Sequence, residues 1–420
     1  MQLTPRGPIA LIGTLDTKGL EVRFLKERLE LLGLKTVVID VGIAGTPQFD
    51  PDVRREEIAS RGGTSIDALV AGRDSGRAVV AMQSGLSRWM VDSFGPLKLS
   101  GALGIGGSAG TSIAATAMRQ LPLGIPKLIV STSASGDTRP HVGTSDIIMI
   151  PSVADLAGLN RITRTILANA ANAIAGMCCL PEAPAAEGER PCLGATMFGV
   201  TTPCVTRVRE LVEAAGYTLL VFSANGVGGR VMEQLIRDHM IEGVIDITTT
   251  ELADELGGGI LSAGPDRLEQ AGRSAIPQVI SVGALDMVNF GPMDTVPDKY
   301  RNRTLYRHNS AVTLMRTTSS ENAILGRQIA ERASMSKGPV TIVLPQKGVS
   351  AIDCPGQPFH DPHADQELFE AIRTHVDPKV KLVEVDAHIN DPAFAARLVT
   401  EYLELIKNSK NKEKNADDVA

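Results

Sequence analysis

The stretch SGALGIGGSAGTSIAATAM, residues 100–118, combines a short apolar strand, a glycine-rich loop and an alanine-rich helix. The strand covers residues 102–105, and the loop follows it directly with Gly106, Gly107, Ser108, Gly110 and Thr111. Glycines let backbone N–H groups turn towards one point, and the start of the next helix adds partial positive charge. The stretch therefore predicts a strand-to-helix turn that binds a phosphate or a carboxylate. The alternative is a Gly–Gly turn that only connects the two elements.

This loop matches neither of the common nucleotide-binding motifs. It lacks the lysine of a GxxxxGK[ST] phosphate loop and the spacing of GxGxxG. The residues by themselves therefore indicate an anion site without specifying the anion.

Apolar strands and amphipathic helices alternate along the whole chain, which predicts an α/β fold with doubly wound, mainly parallel sheets. Its 420 residues exceed what one hydrophobic core usually organises. We expect an N-terminal domain at 1–180 and a C-terminal domain at 192–410. The Pro-, Ala- and Glu-rich segment 181–191 is interpreted as a linker, and the polar residues 411–420 as a disordered tail.

The two halves repeat one pattern. Residues 12–42 and residues 198–226 each contain a strand, a Thr-rich loop, a helix, a glycine, a second strand and a final glycine. A second pair of strand-to-loop segments, 125–137 and 276–286, follows in the same order. The repeat predicts two similar domains. The alternative is that any two doubly wound domains look alike at this level.

Composition excludes several classes of function. A net charge of −6 argues against a nucleic-acid surface. Apolar runs are broken within about a dozen residues, so we expect no membrane span, which needs ~20. The five cysteines include no CxxC pair, so neither a disulfide framework nor a structural zinc site is expected. The start of the chain lacks the pattern of a signal peptide, and we expect a cytoplasmic protein.

Polar residues are densest in the second half. A further glycine-rich turn there contains Asn225, Gly228, Gly229 and Arg230, and it predicts a substrate-binding loop for a carboxylate or phosphate. Thr249 and Glu251, which follow a later strand, are further candidates for substrate binding. Four more polar residues lie near other strand ends: Asp286, His308, Arg316 and Asp353. If they converge in the fold, they could provide acid/base catalysis and bind the substrate.

The segment DCPGQPFHDPHAD, residues 353–365, offers His and Asp side chains of the kind that zinc or manganese accepts. Its prolines and its Asp361-Pro362 pair also indicate an extended turn that leads into a helix. We prefer the turn and predict no metal ligands. Cys354 and Cys204 are interpreted as structural thiols.

Several motifs together resemble a widespread bacterial family whose plant relative is the N-terminal domain of the tomato mosaic virus resistance protein. They are IGTLDTKGLE, GIGGSAGT, ANGVGGRVMEQLI, ITTTELADELGGG, GALDMVNFG, RHNSAVTLMRTT and LPQKGVSAIDCPGQPFHDPHAD, and they cover nearly the entire chain. The resemblance implies two Rossmann-like domains, ATP bound in the N-terminal one, and a homodimer.

ATP binding requires phosphate donors, a cation and a place for Mg²⁺. The candidates lie in loops after the strands of the first half: Thr14, Asp16, Thr17, Lys18, Gly106, Gly107, Ser108, Gly110, Thr111, Ser135 and Asp137. Lys18 would contact phosphate, and Asp16 or Asp137 would reach Mg²⁺ through water. The alternative is that Asp16 and Thr17 cap a helix and Lys18 faces solvent.

Two hypotheses follow from these candidates. The first is a nucleotide-dependent transferase, ligase or hydrolase that acts on a small anionic metabolite in a cleft between the two domains. The second is a regulatory protein that binds the nucleotide without turnover. Catalysis with no nucleotide, in which both glycine loops hold an anionic substrate, is a third.

Overall fold

Five parallel strands form the sheet of the first unit, and each strand is a short apolar run. The structure, a computed structural model, describes residues 7–180 and 188–417. Contacts divide the chain into Met1–Ala185 and Ala186–Ala420, called unit 1 and unit 2 below. The strand order in unit 1 is β2-β1-β3-β4-β5. The strands are β1 Ile9–Gly13, β2 Thr36–Asp40, β3 Gly101–Gly106, β4 Lys127–Ser131 and β5 Ile148–Pro151.

Helices cover both faces of this sheet. They are α1 Leu15–Leu31, α2 Arg55–Arg61, α3 Ile66–Gly72, α4 Ser75–Leu97, α5 Ser108–Met118, α6 Arg139–Val142 and α7 Arg161–Cys179. Side chains of β1 alternate between the faces, as the pleat requires. Ala10 and Ile12 pack in the core formed with α2 to α5, whereas Ile9 and Leu11 pack in the core formed with α1 and α7.

Unit 2 contains a six-stranded parallel sheet and a smaller antiparallel one. The large sheet has the order β14-β13-β9-β8-β6-β7, and the small one β10-β12-β11. The strands are β6 Cys192–Met197, β7 Thr218–Ser223, β8 Gly243–Thr248, β9 Gln278–Gly283, β10 Met287–Phe290, β11 Leu305–Arg307, β12 Thr313–Arg316, β13 Val340–Pro345 and β14 Lys381–Val385.

The helices of unit 2 also lie on both faces of its large sheet. They are α8 Thr202–Ala214, α9 Gly228–Arg237, α10 Glu251–Gly257, α11 Gln270–Arg273, α12 Ser319–Ser334, α13 Pro362–His375 and α14 Pro392–Asp417. One core contains residues of α8 and α14, and the other contains residues of α10, α12 and α13. The predicted α/β class with mainly parallel, doubly wound sheets is confirmed. In each unit the first strand lies between the second and third, in agreement with the repeat in the sequence.

The structure and the local sequence expectations differ in three places. The Asp50-Pro51 pair is typical of a helix start, but the helix begins only at Arg55, because Val53 pairs with Ile39 and extends the chain there. Residues 288–307 lack a clean hydrophobic period, which predicts a polar excursion, yet they contain most of β10 and all of β11. Helix α14 extends to Asp417, into the range 411–420 that was interpreted as a disordered tail. Residues 181–187 of the expected linker and 418–420 of the tail lie outside the described residues.

Within the described parts of the chain, no helix combines the length and apolar character that a membrane crossing requires.

Candidate functional site

The strand order of unit 1 creates a point at which the chain connections leave in opposite directions, between β1 and β3. Open α/β sheets bind ligands outside the carboxyl ends of the strands at such a point. Thr14 directly follows β1, and Gly107 directly follows β3. Most of the residues predicted to hold ATP therefore lie at this edge of unit 1.

The start of α5 is open. Gly107 precedes the helix, and no side chain of the described residues caps it. The first backbone hydrogen bond of the helix runs from Thr111 N–H to Gly107 O, at 2.9 Å. The N–H groups of residues 108–110 therefore have no acceptor within the helix. Ser108 is exposed. A Cβ built on Gly107 would meet nothing closer than Thr132 Oγ1 at 3.8 Å. This helix start offers donors and free space to an anion.

The other residues of the loop build the turn itself. A Cβ on Gly106 would lie 2.7 Å from Thr111 N, so only glycine fits there. Thr111 is fully buried, and its hydroxyl lies 2.6 Å from Ser131 Oγ. Gly110 is also buried. Gly107 and Ser108 are therefore the loop residues that remain available to a ligand.

Asp16 has a structural contact rather than a free carboxylate. Its Oδ2 accepts hydrogen bonds from Ala44 N at 2.8 Å and Gly45 N at 3.1 Å, and Arg55 lies 3.7 Å away. Arg55 also pairs with Asp40 at 2.6 Å. Asp16 thus fixes the loop that follows β2.

The remaining candidates in unit 1 divide into two groups. Thr14 and Thr17 lie at the carboxyl end of β1 with their hydroxyls 2.8 Å apart. Lys18 donates from Nζ to Leu156 O, in the segment after β5, rather than facing solvent. Ser135 and Asp137 are exposed after β4, and the hydrogen bond from Arg139 lowers the pKa of Asp137 to about 2.

The glycine-rich turn of unit 2 already binds a carboxylate of the protein. Glu251 Oε1 accepts hydrogen bonds from Gly226 N at 2.8 Å and Gly229 N at 3.2 Å. Its Oε2 pairs with Arg267 Nε at 2.7 Å. The turn expected to bind substrate thus holds an anion of the protein itself, Glu251, which was also among the residues expected to bind substrate.

The other residues predicted to bind substrate here are also engaged. Asn225 Oδ1 accepts from the N–H of Gly228 at 3.3 Å, which shapes the turn. Arg230 is exposed, and its Nε donates to Gly226 O at 2.6 Å. Thr249 is buried and donates from Oγ1 to Ser281 O at 3.0 Å.

Arg267 is a buried cation that the sequence analysis missed. Besides Glu251, it pairs with Asp246 through two contacts of 2.6 and 2.9 Å and lies 3.5 Å from Glu233. These carboxylates raise the pKa of Arg267 against the opposing effect of burial, and burial raises the pKa of Glu233. The cluster joins β8, α9 and α10 to the segment before α11. No sequence motif distinguishes it from surface charges.

Three of the four predicted catalytic residues converge. Arg316 Nη2 lies 2.8 Å from Asp365 Oδ1 and 3.7 Å from Asp353 Oδ1. Asp286 is fully buried, and its Oδ2 accepts from Ser350 Oγ at 2.7 Å. Its other oxygen, Oδ1, has no hydrogen-bond partner among the described residues. Two carboxylates thus pair with one guanidinium, and the charges of Arg316 and Asp353 both act on the nearby Asp286.

Two of these carboxyl groups retain protons more strongly than usual. Burial, and then the charge of Asp353, raise the pKa of Asp286 to about 7. The same two causes raise the pKa of Asp365 to about 8, and a hydrogen bond with Asp353 adds to the effect. Near neutral pH the buried cluster therefore retains a proton on these carboxyl groups.

His308 does not join this group. It lies in the exposed turn between β11 and β12, where its backbone N–H donates to Val312 O at 3.1 Å. Asp286, Arg316 and Asp353 are buried. A histidine would suit acid/base catalysis, but the turn between β11 and β12 places His308 at the surface.

A cavity of about 510 Å³ opens at the carboxyl ends of β13 and β14 in unit 2. Residues from the loop after β13, from the segment 354–362, from the first turn of α13 and from the loop after β14 line it: Gln346, Lys347, Gly348, Cys354, Pro355, His360, Pro362, Asp365, Gln366 and His388. Asp365 joins the cavity to the buried cluster. Its position in the DPHAD motif, just after a helix cap, is the only sequence signal for this role.

His388 has both ring nitrogens in hydrogen bonds. Nδ1 accepts from Asn390 N at 3.1 Å, so Nε2 carries the proton and donates to Ser350 O at 2.9 Å. Gly348 touches this ring: at a φ of +118°, a Cβ would lie 2.9 Å from it and 1.9 Å from Asp353 O. Glycine is therefore required in this wall.

The segment 353–365 forms the turn and helix start that we preferred. Asp361 caps α13 by accepting from Ala364 N at 3.0 Å. Among the described residues, no three His, Cys, Asp or Glu side chains are arranged to hold a metal ion. Burial raises the pKa of Cys204 to about 12, which suits a structural thiol.

Comparison with known proteins gives matches to both halves of the chain. Residues 7–183 match the N-terminal domain, and residues 190–406 the C-terminal domain, of the uncharacterised protein family UPF0261. A UPF0261 protein of Clostridium tetani is 48% identical over 95% of this chain and 99% of its own length. One from Rhizobium meliloti is 46% identical over 94% and 98%.

A plant protein is also similar to this chain, over part of the plant protein's length. The ToMV resistance protein Tm-1(GCR237) of Solanum lycopersicum is 40% identical over 96% of this chain. The match covers 56% of the tomato protein.

Proposed function

The chain belongs to the UPF0261 family, with both family domains present, and on this basis we propose that unit 1 binds the phosphates of ATP at the start of α5. In this proposal the protein is a nucleotide-dependent enzyme, and unit 2 supplies the site for a small anionic metabolite.

The open start of α5 is the observation that carries the proposal. Its free N–H groups lie at the point of unit 1 where open sheets bind ligands, and the room beside Gly107 lets a phosphate approach the backbone. The hydroxyls of Thr14 and Thr17 follow the neighbouring strand and are suited to further phosphate contacts.

Magnesium fits this site poorly. The two carboxylates considered for it are Asp16, which accepts two backbone hydrogen bonds beside Arg55, and Asp137, which pairs with Arg139. Asp16 Oδ1 lacks a hydrogen-bond partner, but it is buried and so is not presented to a cation in the site. The proposal therefore assigns phosphate binding to N–H and hydroxyl donors, and no step uses a protein-bound metal.

The cluster in unit 2 favours an enzyme over a regulatory protein. Asp286, Arg316 and Asp353 form a buried arrangement with a retained proton, which is suited to acid/base chemistry and costly to maintain without a function. The alternative is that ATP acts as a switch and is not consumed. Chromatographic measurement of ATP loss in the presence of candidate metabolites distinguishes the two: the enzyme consumes ATP, whereas the switch only binds it.

Calorimetric titration with ATP tests the phosphate site. Gly107→Val places a side chain where phosphate approaches, and it should weaken binding at least tenfold, or about 1.4 kcal/mol. The fold should persist, because the new Cβ meets only Thr132 at 3.8 Å. Gly72→Val, at an exposed glycine of the same unit with open surroundings, is the matched control and should bind normally. Equal affinity in Gly107→Val would contradict the proposal.

The family resemblance also supports a homodimer, which we include in the proposal. Analytical ultracentrifugation at several concentrations tests it, and a monomer at all of them would exclude it.

A further inference from the structure

We propose that the cavity at the carboxyl ends of β13 and β14 binds an aromatic carboxylate, with the ring inside the cavity and the carboxylate beside Lys347. This inference deepens the metabolite site of unit 2, and to that extent it rests on the proposed function. It does not require ATP, since every residue that it uses belongs to unit 2.

The cavity has the size and position of a small-molecule site. Its volume of about 510 Å³ falls within the ~300–1,000 Å³ typical of ligand pockets. It lies at the carboxyl ends of two neighbouring parallel strands, which is the end of open α/β sheets at which ligands bind. A ligand with one or two rings and a carboxylate fits this volume.

The exposed lining of the cavity is mainly apolar, although most of the residues that line it are polar. The amide nitrogen of Gln346 is buried. Both ring nitrogens of His388 form hydrogen bonds within the protein. Only 5% of Asp365 is exposed, and Arg316 pairs with it at 2.8 Å. A ligand in this cavity therefore meets mainly carbon atoms and ring faces, which favour an apolar body.

Four rings in the lining favour a flat ligand. The segment that leads into α13 contributes Pro355, His360 and Pro362. The loop after β14 contributes His388, whose two hydrogen bonds fix its ring and so provide a preformed surface for stacking. A rigid aromatic ring also loses less conformational freedom on binding than an aliphatic chain of the same size. Shape and rigidity therefore both select an aromatic body.

Lys347 supplies the charge for a carboxylate. Its ammonium group pairs with Asp386 at 3.0 Å, and both side chains are more than half exposed. Exposed pairs of this kind contribute little stability, so a ligand carboxylate can compete for the ammonium group. Asp365, the acid among the lining residues that the structure describes, is already paired with Arg316. The charge within reach of a ligand is therefore positive, and it selects an anion.

Ligand-detected NMR tests the class of ligand with 2-naphthoate, benzoate, cyclohexanecarboxylate and D-glycerate. 2-Naphthoate should bind at least fivefold more tightly than benzoate, because its second ring buries more apolar surface. Cyclohexanecarboxylate should bind at least threefold more weakly than benzoate, because its puckered ring cannot lie flat on the walls. D-Glycerate should give no signal. The proposal would be overturned if neither aromatic acid bound, or if either of the other two acids bound as tightly as benzoate.

Gln366→Trp locates the bound acid. Gln366 lines the cavity from the start of α13, so a tryptophan there fills the cavity and should abolish the signals of 2-naphthoate. Glu370→Trp, the same change one turn further along α13, should retain them. Both positions are exposed, so both variants should keep the wild-type circular dichroism spectrum. Binding of 2-naphthoate that survives in Gln366→Trp would place the acid outside this cavity.

Lys347→Met tests the contact with the carboxylate, because it removes the charge and keeps most of the length of the side chain. It should weaken binding of 2-naphthoate at least fivefold and change the affinity for neutral 2-naphthamide less than twofold. Lys379→Met is the matched control, since this exposed lysine precedes β14 at the end of the strand opposite the cavity. Equal affinities for 2-naphthoate in the two variants would exclude the contact with Lys347.

Alkylation of Cys354 separates failure of this inference from failure of the proposed function, because the thiol lines the cavity in unit 2. Bound 2-naphthoate should slow its reaction with iodoacetamide at least threefold, with or without ATP, as measured by peptide mass spectrometry. The rate at Cys192, on β6, should not change. Equal rates at Cys354 with and without the acid would overturn this inference, whereas failure of ATP to bind would overturn the nucleotide site alone.

Discussion

The backbone N–H of Gly229 donates a hydrogen bond of 3.2 Å to the carboxylate of Glu251, and this contact decides what the second glycine-rich turn can bind. The N–H of Gly226 donates to the same oxygen, and Arg267 neutralises the other. At the start of α5 in unit 1, no side chain of the described residues takes that place. One glycine turn is thus closed by the protein's own anion, and the other remains open to a ligand.

Gly229→Ala should destabilise unit 2 strongly. The added Cβ would lie 2.0 Å from Glu251 Oε2 and 2.7 Å from Arg267 Nε, so a buried ion cluster must move. Disturbing buried ion pairs costs about 3–5 kcal/mol, and we expect a loss near the lower end. Urea unfolding followed by circular dichroism measures it. Gly199→Ala, at a glycine of unit 2 with no neighbour within 4 Å, should unfold like the wild-type protein. Similar curves for the two variants would contradict this account.

The fold could be predicted from the sequence because its signals are local. Apolar runs such as Ile9–Gly13 and helices with apolar positions at a regular spacing define doubly wound sheets. The small sheet β10-β12-β11 could not be predicted, since its strands are only 3 or 4 residues long and pair across a polar segment. Short strands depend on their partners more than on their own sequence.

The candidate sites were predictable only in part. The sequence indicates which residues lie near strand ends. Three residues selected on that basis, Asp286, Arg316 and Asp353, lie in one buried cluster in the structure. The sequence does not indicate whether a donor is already used, so Asp16 and the turn around Gly229 looked as open as Gly107 does. Asp365 was passed over because a helix-start motif explains its position equally well.

Asp16→Asn should weaken unit 1 without weakening ATP binding. The change removes the charge that pairs with Arg55 and reduces the two backbone hydrogen bonds to Ala44 and Gly45. Losses of such bonds cost about 1–3 kcal/mol. Fluorescence of Trp89, the single tryptophan and a buried residue of unit 1, reports the unfolding.

The exposed Asp67 provides the control: Asp67→Asn should leave the transition of Trp89 in place. ATP affinity of Asp16→Asn should stay within threefold of wild type, with the same response to Mg²⁺. A tenfold loss of affinity in a fully stable Asp16→Asn protein would instead make Asp16 a ligand-binding residue.

His308→Ala and Arg316→Met should differ sharply. His308 is exposed, so its replacement should change the free energy of unfolding by less than about 0.5 kcal/mol. Arg316→Met leaves Asp353 and Asp365 buried without their cation, which costs about 3–5 kcal/mol. Urea unfolding of both proteins at pH 7 tests the pair. Equal losses would mean that His308 participates in the buried cluster after all.

Stability of unit 2 should fall as the pH rises from 5 to 8. Burial raises the pKa of Asp254 to about 7, although Asn289 and Leu261 donate hydrogen bonds to it. The unfolded carboxyl titrates near ~3.9, so between the two values the folded state holds a proton that the unfolded state has lost. Each such group lowers the free energy of unfolding by up to about 1.4 kcal/mol per pH unit, and the loss ends above its folded pKa.

Asp254→Asn should flatten this dependence by the contribution of one group. The substituted amide can still accept the backbone hydrogen bonds from Leu261 and Asn289. The side-chain oxygen of Asn289 has no partner among the described residues, so a flip of that amide lets it accept from the new NH₂ group. Urea unfolding at pH 5, 6, 7 and 8 gives the slope, and Asp298→Asn, at an 87% exposed side chain, should keep the wild-type slope. If Asp254→Asn also kept it, Asp254 would be ionised throughout this range and its buried contacts would have to stabilise the charge.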